Sequence, residues 1–264
     1  DMSMLERELD LWYLGILKKV WRTFARTVQN EKKNVSKAIA KQFSGLKIDD
    51  YNVAHVLLKI ELNPDKPTEW TDSQLETFAH ALRHHTKPVI IAANKMDRPH
   101  AQKNFDRLKE RYPEIIIIPC SADFELTLRE AHKKGFIRYI PGESDFKILT
   151  TMNEKQTHAL EEILSFLQIH TSTGVQQILN AVVFDSLNYI PIFPASANRL
   201  TDSKGNVLPD CFLLKKGSTA LDFAFAIHSD LGNRFIRAID ARTKRALGKE
   251  YVLKERDALE IVNS

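Results

Sequence analysis

The chain has 264 residues, 43% of them hydrophobic and 27% charged, with a formal net charge of +4. That is room for one large or two ordinary domains with true cores, and the mix is that of a globular protein rather than a disordered or fibrous one. The charge is compatible with RNA but too small to imply it without clustering.

Two cysteines, Cys120 and Cys211, lie far apart and form no CxxC. This pattern suits a reducing compartment and predicts a cytoplasmic protein. No apolar run approaches the ~20 residues of a membrane span, so no membrane partner is expected. The first residues are acidic and helical, unlike a signal peptide. The chain opens on Asp1 within a helical pattern, as a fragment would.

Residues 2–62 read as helical. Leu5, Leu9, Trp12, Ile16 and Val20 recur every three or four positions and predict one apolar stripe. Val35, Ala38, Ile39 and Phe43 predict a second, ended by Gly45. Val53, Val56, Leu57 and Ile60 predict a third, stopped before Pro64. Together they read as a hairpin-like helical subdomain. Lys18, Arg22 and Arg26 are spaced by four, as are Lys33, Lys37 and Lys41. Like charges at that spacing weaken a helix by about 0.2–0.5 kcal/mol per pair. The two basic stripes are therefore candidates for contact with an RNA backbone, or are simply solvated faces. Trp12 and Trp21 read as packing residues.

After a linker at 63–67, a helix is capped near Thr71 or Asp72 and buries Leu75, Phe78, Ala79 and Leu82. His80 and His84 have a metal-compatible spacing but no third ligand nearby, and no metal site is assigned. Residues 87–93 form an apolar, β-branched run expected as a buried parallel strand. It closes on Asn94-Lys95-Met96-Asp97, followed by Arg98-Pro99 and a helix over 102–111. A second such strand covers 114–120 and ends in Ser121-Ala122-Asp123, with a helix beyond it.

Polar residues at the carboxyl end of a parallel strand stand where open α/β sheets bind ligands. A carboxylate such as Asp97 can accept two hydrogen bonds, and guanine offers N1–H and its N2 amine side by side. Adenine offers no such pair and would leave a buried group unpaired. The Lys95 stem can cover the ring, the Asn94 amide can bridge base and loop, and the Ser121-Ala122 backbone can donate N–H groups to the base carbonyl. One strand–helix–strand unit brings the two loops to one sheet edge.

Helices are further expected at 152–167 and 174–187. Tyr189 to Pro194 reads as an edge strand because prolines remove ladder donors. A polar linker at 198–205 marks a domain boundary. Beyond it come a strand at 211–214, a turn at Lys215-Lys216-Gly217, and a capping box at Ser218-Thr219 with Asp222. A helix at 220–231 follows, and then short strands at 236–240, 251–253 and 259–262. This is a small α+β unit, locally basic through Arg234, Arg237, Arg242, Lys244 and Arg245.

Residues 87–97 and 115–123 resemble the guanine-specificity loop and the following Ser-Ala loop of P-loop GTPases. The run Lys216-Gly217-Ser218-Thr219-Ala220, Ala226-Ile227-His228 and Ala238-Ile239-Asp240-Ala241-Arg242-Thr243 resembles a TGS domain, a β-grasp fold. The chain is thus similar to Obg-related GTPases carrying a TGS domain, in the archaeal branch of the YchF-like group. The resemblance implies an α/β fold. The expected parts are a helical insertion (1–85), the second half of a GTPase sheet (86–205) and the TGS domain (206–264). It implies guanine contacts at Asn94, Lys95, Asp97, Ser121 and Ala122, GTP with Mg2+ as cofactors, and a ribosome or RNA as partner. Typical YchF proteins carry Glu at the position of Asp97 and prefer ATP, so Asp97 implies GTP.

A phosphate loop GxxxxGK[ST] does not occur in the sequence. Asp202-Ser203-Lys204-Gly205 fits the letters of Asp-x-x-Gly but lies in a linker, where it reads as coincidence. No catalytic residue is assigned. Two expectations remain: a translation-associated GTPase whose phosphate machinery lies upstream, or an RNA- or ribosome-binding module without nucleotide turnover.

Overall fold

The computed structural model describes residues 2–46, 48–196, 200, 205–208 and 210–264. It divides into two compact units, Asp1–Val89 and Ile90–Ser264. The Asp202-Ser203-Lys204 match and most of the expected linker lie outside the described residues.

The first unit is helical: α1 (Met2–Lys18), α2 (Trp21–Asn30), α3 (Val35–Gln42), α4 (Asp50–Lys59) and α5 (Asp72–Thr86). Its core gathers Tyr13, Leu17, Trp21, Ile39, Val53, Phe78 and Leu82. Each large apolar side chain so buried contributes about 1.5–3 kcal/mol. Trp21 stacks on Trp70 at 5.1 Å between ring centroids. The α1 stripe differs from expectation. Tyr13, Leu14 and Leu17 are buried, while Leu5, Trp12 and Val20 stand about half exposed. The buried guanidinium of Arg83 on α5 decides it: Arg83 Nε donates to Asp10 Oδ1 at 2.8 Å, and Nη2 lies 3.6 Å from Glu6 Oε1. The face of α1 that carries Glu6 and Asp10 therefore turns inward, and Tyr13 and Leu17 follow at helical spacing.

Neither expected basic stripe survives as a continuous helix face. Lys18 ends α1 and Arg22 and Arg26 belong to α2. Lys33 precedes α3, whose cap is Asn34, with its side chain accepting from the Lys37 N–H. Helix α3 stops at Gln42, and Gly45 lies within a short 3-10 turn, Ser44–Leu46. Helix α5 is capped at Thr71, one of the two positions expected, and the cap is a capping box with Gln74.

The second unit opens with β1 (Ile90–Ala93), α6 (Ala101–Arg111) and β2 (Ile116–Pro119). The strands are parallel, with Ile90 opposite Ile116 and Ala93 opposite Pro119. Strand β1 starts later than the apolar run and is only half-buried, with Ala92 exposed. Among the described residues the sheet has two strands, covered by a small cluster of Met96, Phe105, Ile117 and Phe166. Then follow α7 (Ala122–Lys133), the antiparallel pair β3 (Ile137–Arg138) and β4 (Lys147–Ile148), and α8 (Glu154–His170). The stretch expected as one helix at 174–187 is α9 (Val175–Asn180) continued by a π-helical turn, Ala181–Ser186.

The remaining elements are β5 (Tyr189–Pro194), β6 (Phe212–Lys215), α10 (Ala220–Ile227), α11 (Ser229–Asn233), β7 (Phe235–Asp240), β8 (Ala246–Leu247) and β9 (Ala258–Asn263). They form a five-stranded sheet in the order β6-β5-β9-β7-β8, over a core of Ile192, Phe223, Ala238 and Leu259. Strand β5 is interior, not an edge, and it precedes the boundary expected at 205. Its prolines are tolerated because each neighbour pairs with only part of it. Pairing with β6 ends at Ile192, before Pro194, and pairing with β9 begins at Phe193, after Pro191. The expected helix at 220–231 breaks at His228, whose extended backbone and side chain cap α11. Residues 251–253 supply one bridge, Thr219 to Val252, rather than a strand.

Candidate functional site

Two loops leave the carboxyl ends of β1 and β2 side by side. The Cys120 N–H donates to the Ala93 carbonyl at 3.0 Å, and the Met96 N–H donates to the Cys120 carbonyl at 3.1 Å. The parallel pairing thereby continues past both strands. Lys95 adopts a left-handed conformation (φ 69°), which turns the chain so that Met96 is buried and Lys95 exposed. A non-glycine residue held there is mildly strained, a common feature of ligand loops.

Asn94 is the staple. Its Oδ1 accepts from the Lys95 N–H at 2.8 Å and from the Ala122 N–H at 3.0 Å. Asp97 is the anchor, with a side chain 8% exposed. The Ser121 hydroxyl donates to its Oδ1 at 2.7 Å, and Arg98 Nε lies 3.2 Å from its Oδ2. Ser121 is fully buried and its Oγ also accepts the Phe124 N–H, capping α7. A carboxylate has about four acceptor sites, so Asp97 can hold these donors and still accept two more. Side-by-side N–H donors on a ligand would satisfy it.

The structure brings Asn94, Asp97, Ser121 and Ala122 together, with Lys95 at the rim. It differs from the sequence reading in one respect. The Ser121 N–H goes to the Thr173 carbonyl at 2.9 Å and the Ala122 N–H to Asn94. These amides brace the loops.

Sequence reading missed three supports: Glu125, Thr173 and Gly174. Gly174 has φ 83°, and a Cβ there would stand 2.0 Å from the Pro119 carbonyl oxygen. A glycine in a Ser-Thr-Gly turn is the signal that was available.

The basic residues are dispersed. Lys18 pairs with Glu76 and Asp72, and Lys33 with Glu31. Lys37 and Lys41 are exposed on α3. Arg22 and Arg26 are exposed and line two shallow depressions with Thr23, Thr27, Asn30 and Thr68. His80 and His84 are engaged otherwise than as ligands: His80 Nδ1 lies 2.8 Å from Asp10, and Arg83 Nη2 lies 2.8 Å from His84 Nε2. Among the described residues, no group of three or more metal-ligating side chains gathers and no helix is long and apolar enough to cross a membrane.

Comparison with known proteins matches residues 92–196 to the G4 motif-containing domain of YGR210-like Obg-like GTPases, and residues 201–263 to the TGS domain. A GTP-binding protein of Methanocaldococcus jannaschii is 42% identical over 267 residues, covering 100% of this chain and 66% of that protein. A GTP-binding protein of Schizosaccharomyces pombe is 30% identical over 234 residues, covering 83% of this chain and 56% of that protein. The crystal structure of a GTP-binding protein from Pyrococcus horikoshii matches with a TM-score of 0.79 and 41% identity, over 100% of this chain and 71% of that one. The YchF GTPase of Schizosaccharomyces pombe shares the fold alone, at 19% identity and a TM-score of 0.52, over 99% of this chain and 65% of that one.

Proposed function

This chain belongs to the Obg-like GTPases of the YGR210-like group, and we propose that it carries the base-reading half of a guanine-nucleotide site. Asp97 accepts guanine N1–H and the N2 amine, Asn94 Nδ2 donates to the ring side, and the stem of Lys95 covers the ring. Ser121 and Ala122 hold Asp97 and Asn94 in place. The observation that carries this reading is the Asp97 carboxylate, nearly buried at the end of a parallel strand and held by Ser121 and Arg98. The complete protein, on this reading, is a cytoplasmic, translation-associated enzyme that hydrolyses GTP to GDP. Mg2+ would be held with the phosphates by a loop outside this sequence. The chain's own residues contribute recognition of the base, not the chemistry at phosphorus.

Fluorescent guanine and adenine nucleotides, titrated with Mg2+ against this chain and against a form extended upstream, test the reading. The extended form should bind guanine nucleotides, and this chain only weakly or not at all. In the extended form Asp97→Asn should shift preference from guanine toward xanthine nucleotides. A lost or mispaired buried hydrogen bond costs about 1–3 kcal/mol, up to roughly a hundredfold in affinity. An unchanged base preference would remove Asp97 from the site.

A second reading, RNA or ribosome contact, is favoured by the charge of the segment from Lys18 to Lys47. It holds nine basic residues and one acidic one, Glu31. Such a basic segment suits a phosphate backbone, and it is compatible with nucleotide binding elsewhere in the chain.

A further inference from the structure

Behind the base loop lies a buried polar network. Glu125, on the first turn of α7, is 4% exposed. Its Oε2 accepts the hydroxyls of Thr173 (2.5 Å) and Tyr139 (2.8 Å), and its Oε1 accepts Arg129 Nε at 2.6 Å. Thr173 is fully buried, and its carbonyl accepts the Ser121 N–H. Ser121 in turn donates its hydroxyl to Asp97. The chain of bonds therefore runs from Glu125 through Thr173 and Ser121 to the Asp97 carboxylate. Next to it, Gly174 packs directly on the Pro119 carbonyl, and its N–H donates to Ser172 Oγ at 3.0 Å.

A carboxylate with this little solvent is costly unless its acceptors are filled. Here three donors from α7, the β3 region and the 172–174 turn fill them. The charge is also kept: three hydrogen bonds and the Arg129 charge outweigh burial and hold the Glu125 carboxyl below its ordinary range. The Tyr139 phenol, desolvated and bonded to Glu125, is pushed up to about 12 and stays a donor. An apolar residue at 125 would fill the same space without orienting Thr173. The network fixes the direction of one carbonyl, and that carbonyl holds the loop that holds Asp97.

We infer that Glu125, acting through Thr173, is a positioning residue for base recognition at Asp97. The inference rests on the guanine reading above. It assigns a specificity role to a side chain that touches no nucleotide.

Two measurements test it. The first needs no nucleotide: amide hydrogen exchange of this chain, followed at Ser121, with the Ile163 and Leu167 amides of α8 as references. Glu125→Gln replaces an all-acceptor carboxylate by an amide, and Thr173→Val removes the hydroxyl while leaving the carbonyl. Each should speed exchange at Ser121 by about tenfold with the α8 amides unchanged, and Thr173→Ser should restore protection. If Glu125→Gln does not fold, the Thr173→Val and Thr173→Ser pair carries the measurement alone. The second is the ratio of guanine to adenine nucleotide affinity in the upstream-extended form, which should fall by about fivefold or more in Glu125→Gln and Thr173→Val. Exchange at Ser121 that is unchanged, or that rises equally at Ile163, overturns the positioning role. So does a nucleotide ratio that stays at the wild-type value. A wild-type protein that shows no guanine preference while Ser121 exchange responds overturns the guanine reading instead, and the base-recognition role with it.

Discussion

Arg83 in the helical unit and Glu125 in the second unit are both charged and almost fully buried, at 1% and 4% exposure. Arg83 reaches Asp10 and Glu6 on α1 and His84 on its own helix. Its partners are side chains on rigid elements, so the cluster fastens one helix to another. Glu125 reaches Thr173, whose backbone carbonyl holds a loop. Its effect is passed to a place where a ligand can arrive. Both obey the same rule, that a buried charge needs partners. What differs is where the partners sit, and on the proposed reading that decides whether the charge serves packing or recognition.

The largest expected effect is on the packing side. Arg83→Met strands Asp10 and Glu6 and should cost about 3 kcal/mol, read as an earlier urea transition of the helical unit. Pairing it with Asp10→Leu should recover part of that loss, because the nearer carboxylate then disappears with the guanidinium and Glu6 alone keeps its charge. If the single variant costs nothing, Arg83 is not what orients α1.

Gly174→Ala comes next. A methyl group at φ 83° facing the Pro119 carbonyl has nowhere to go, and the turn should shift at a cost of about 2 kcal/mol. It should release the Ser121 amide without touching Glu125. Normal protection at Ser121 in this variant would separate the turn from the loop.

Acid distinguishes the two clusters by window, since both lose stability as pH falls. His84 titrates below its ordinary value, because burial and then the Arg83 charge oppose its protonation. The unfolded chain therefore takes up that proton first, and the helical unit loses stability as pH falls below 6.5. Glu125 is also held below its ordinary value, so its contribution is complete above 4.5 and lost as pH falls through its lower folded value. A pH series of denaturation curves should show the helical unit weakening below 6.5, a window it shares with His170 of the second unit, whose imidazole is also held down by burial, and the Glu125 contribution lost only below 4.5. The reverse order would break the comparison.

The smallest effect on stability is expected at Arg22→Gln and Arg26→Gln, within about 0.5 kcal/mol, since both are exposed. If the basic segment contacts RNA, each should lower the salt slope of RNA binding by about one. An unchanged slope would make the segment a solvated face.

Much of the loop after β1 was legible because its signals are local. A β-branched run followed by Asn, Lys and Asp, then Ser-Ala one strand later, says where the side chains stand through topology alone. The capping box at Thr219 was equally readable, and the cap of α5 was placed to within one residue, at Thr71 or Asp72. The inward face of α1 was not. Leu5, Leu9, Trp12, Ile16 and Val20 have the right period, and so do Tyr13, Leu17 and Trp21. Only Arg83, some seventy residues on, selects between them. The interior place of β5 was missed for a similar reason. Whether a proline costs a bond depends on how far each neighbouring strand extends.

The sequence by itself determined which residues make strands and helices around the 94–97 loop and which side chains gather there, since those depend on near neighbours and on chain direction. Only the tertiary structure decided which face of α1 is core, where the Ser121 and Ala122 amides point, and that a buried glutamate stands behind the loop. Those outcomes depend on groups far apart in the chain competing for the same hydrogen-bond donors and the same buried space, and one-dimensional spacing carries no record of that competition.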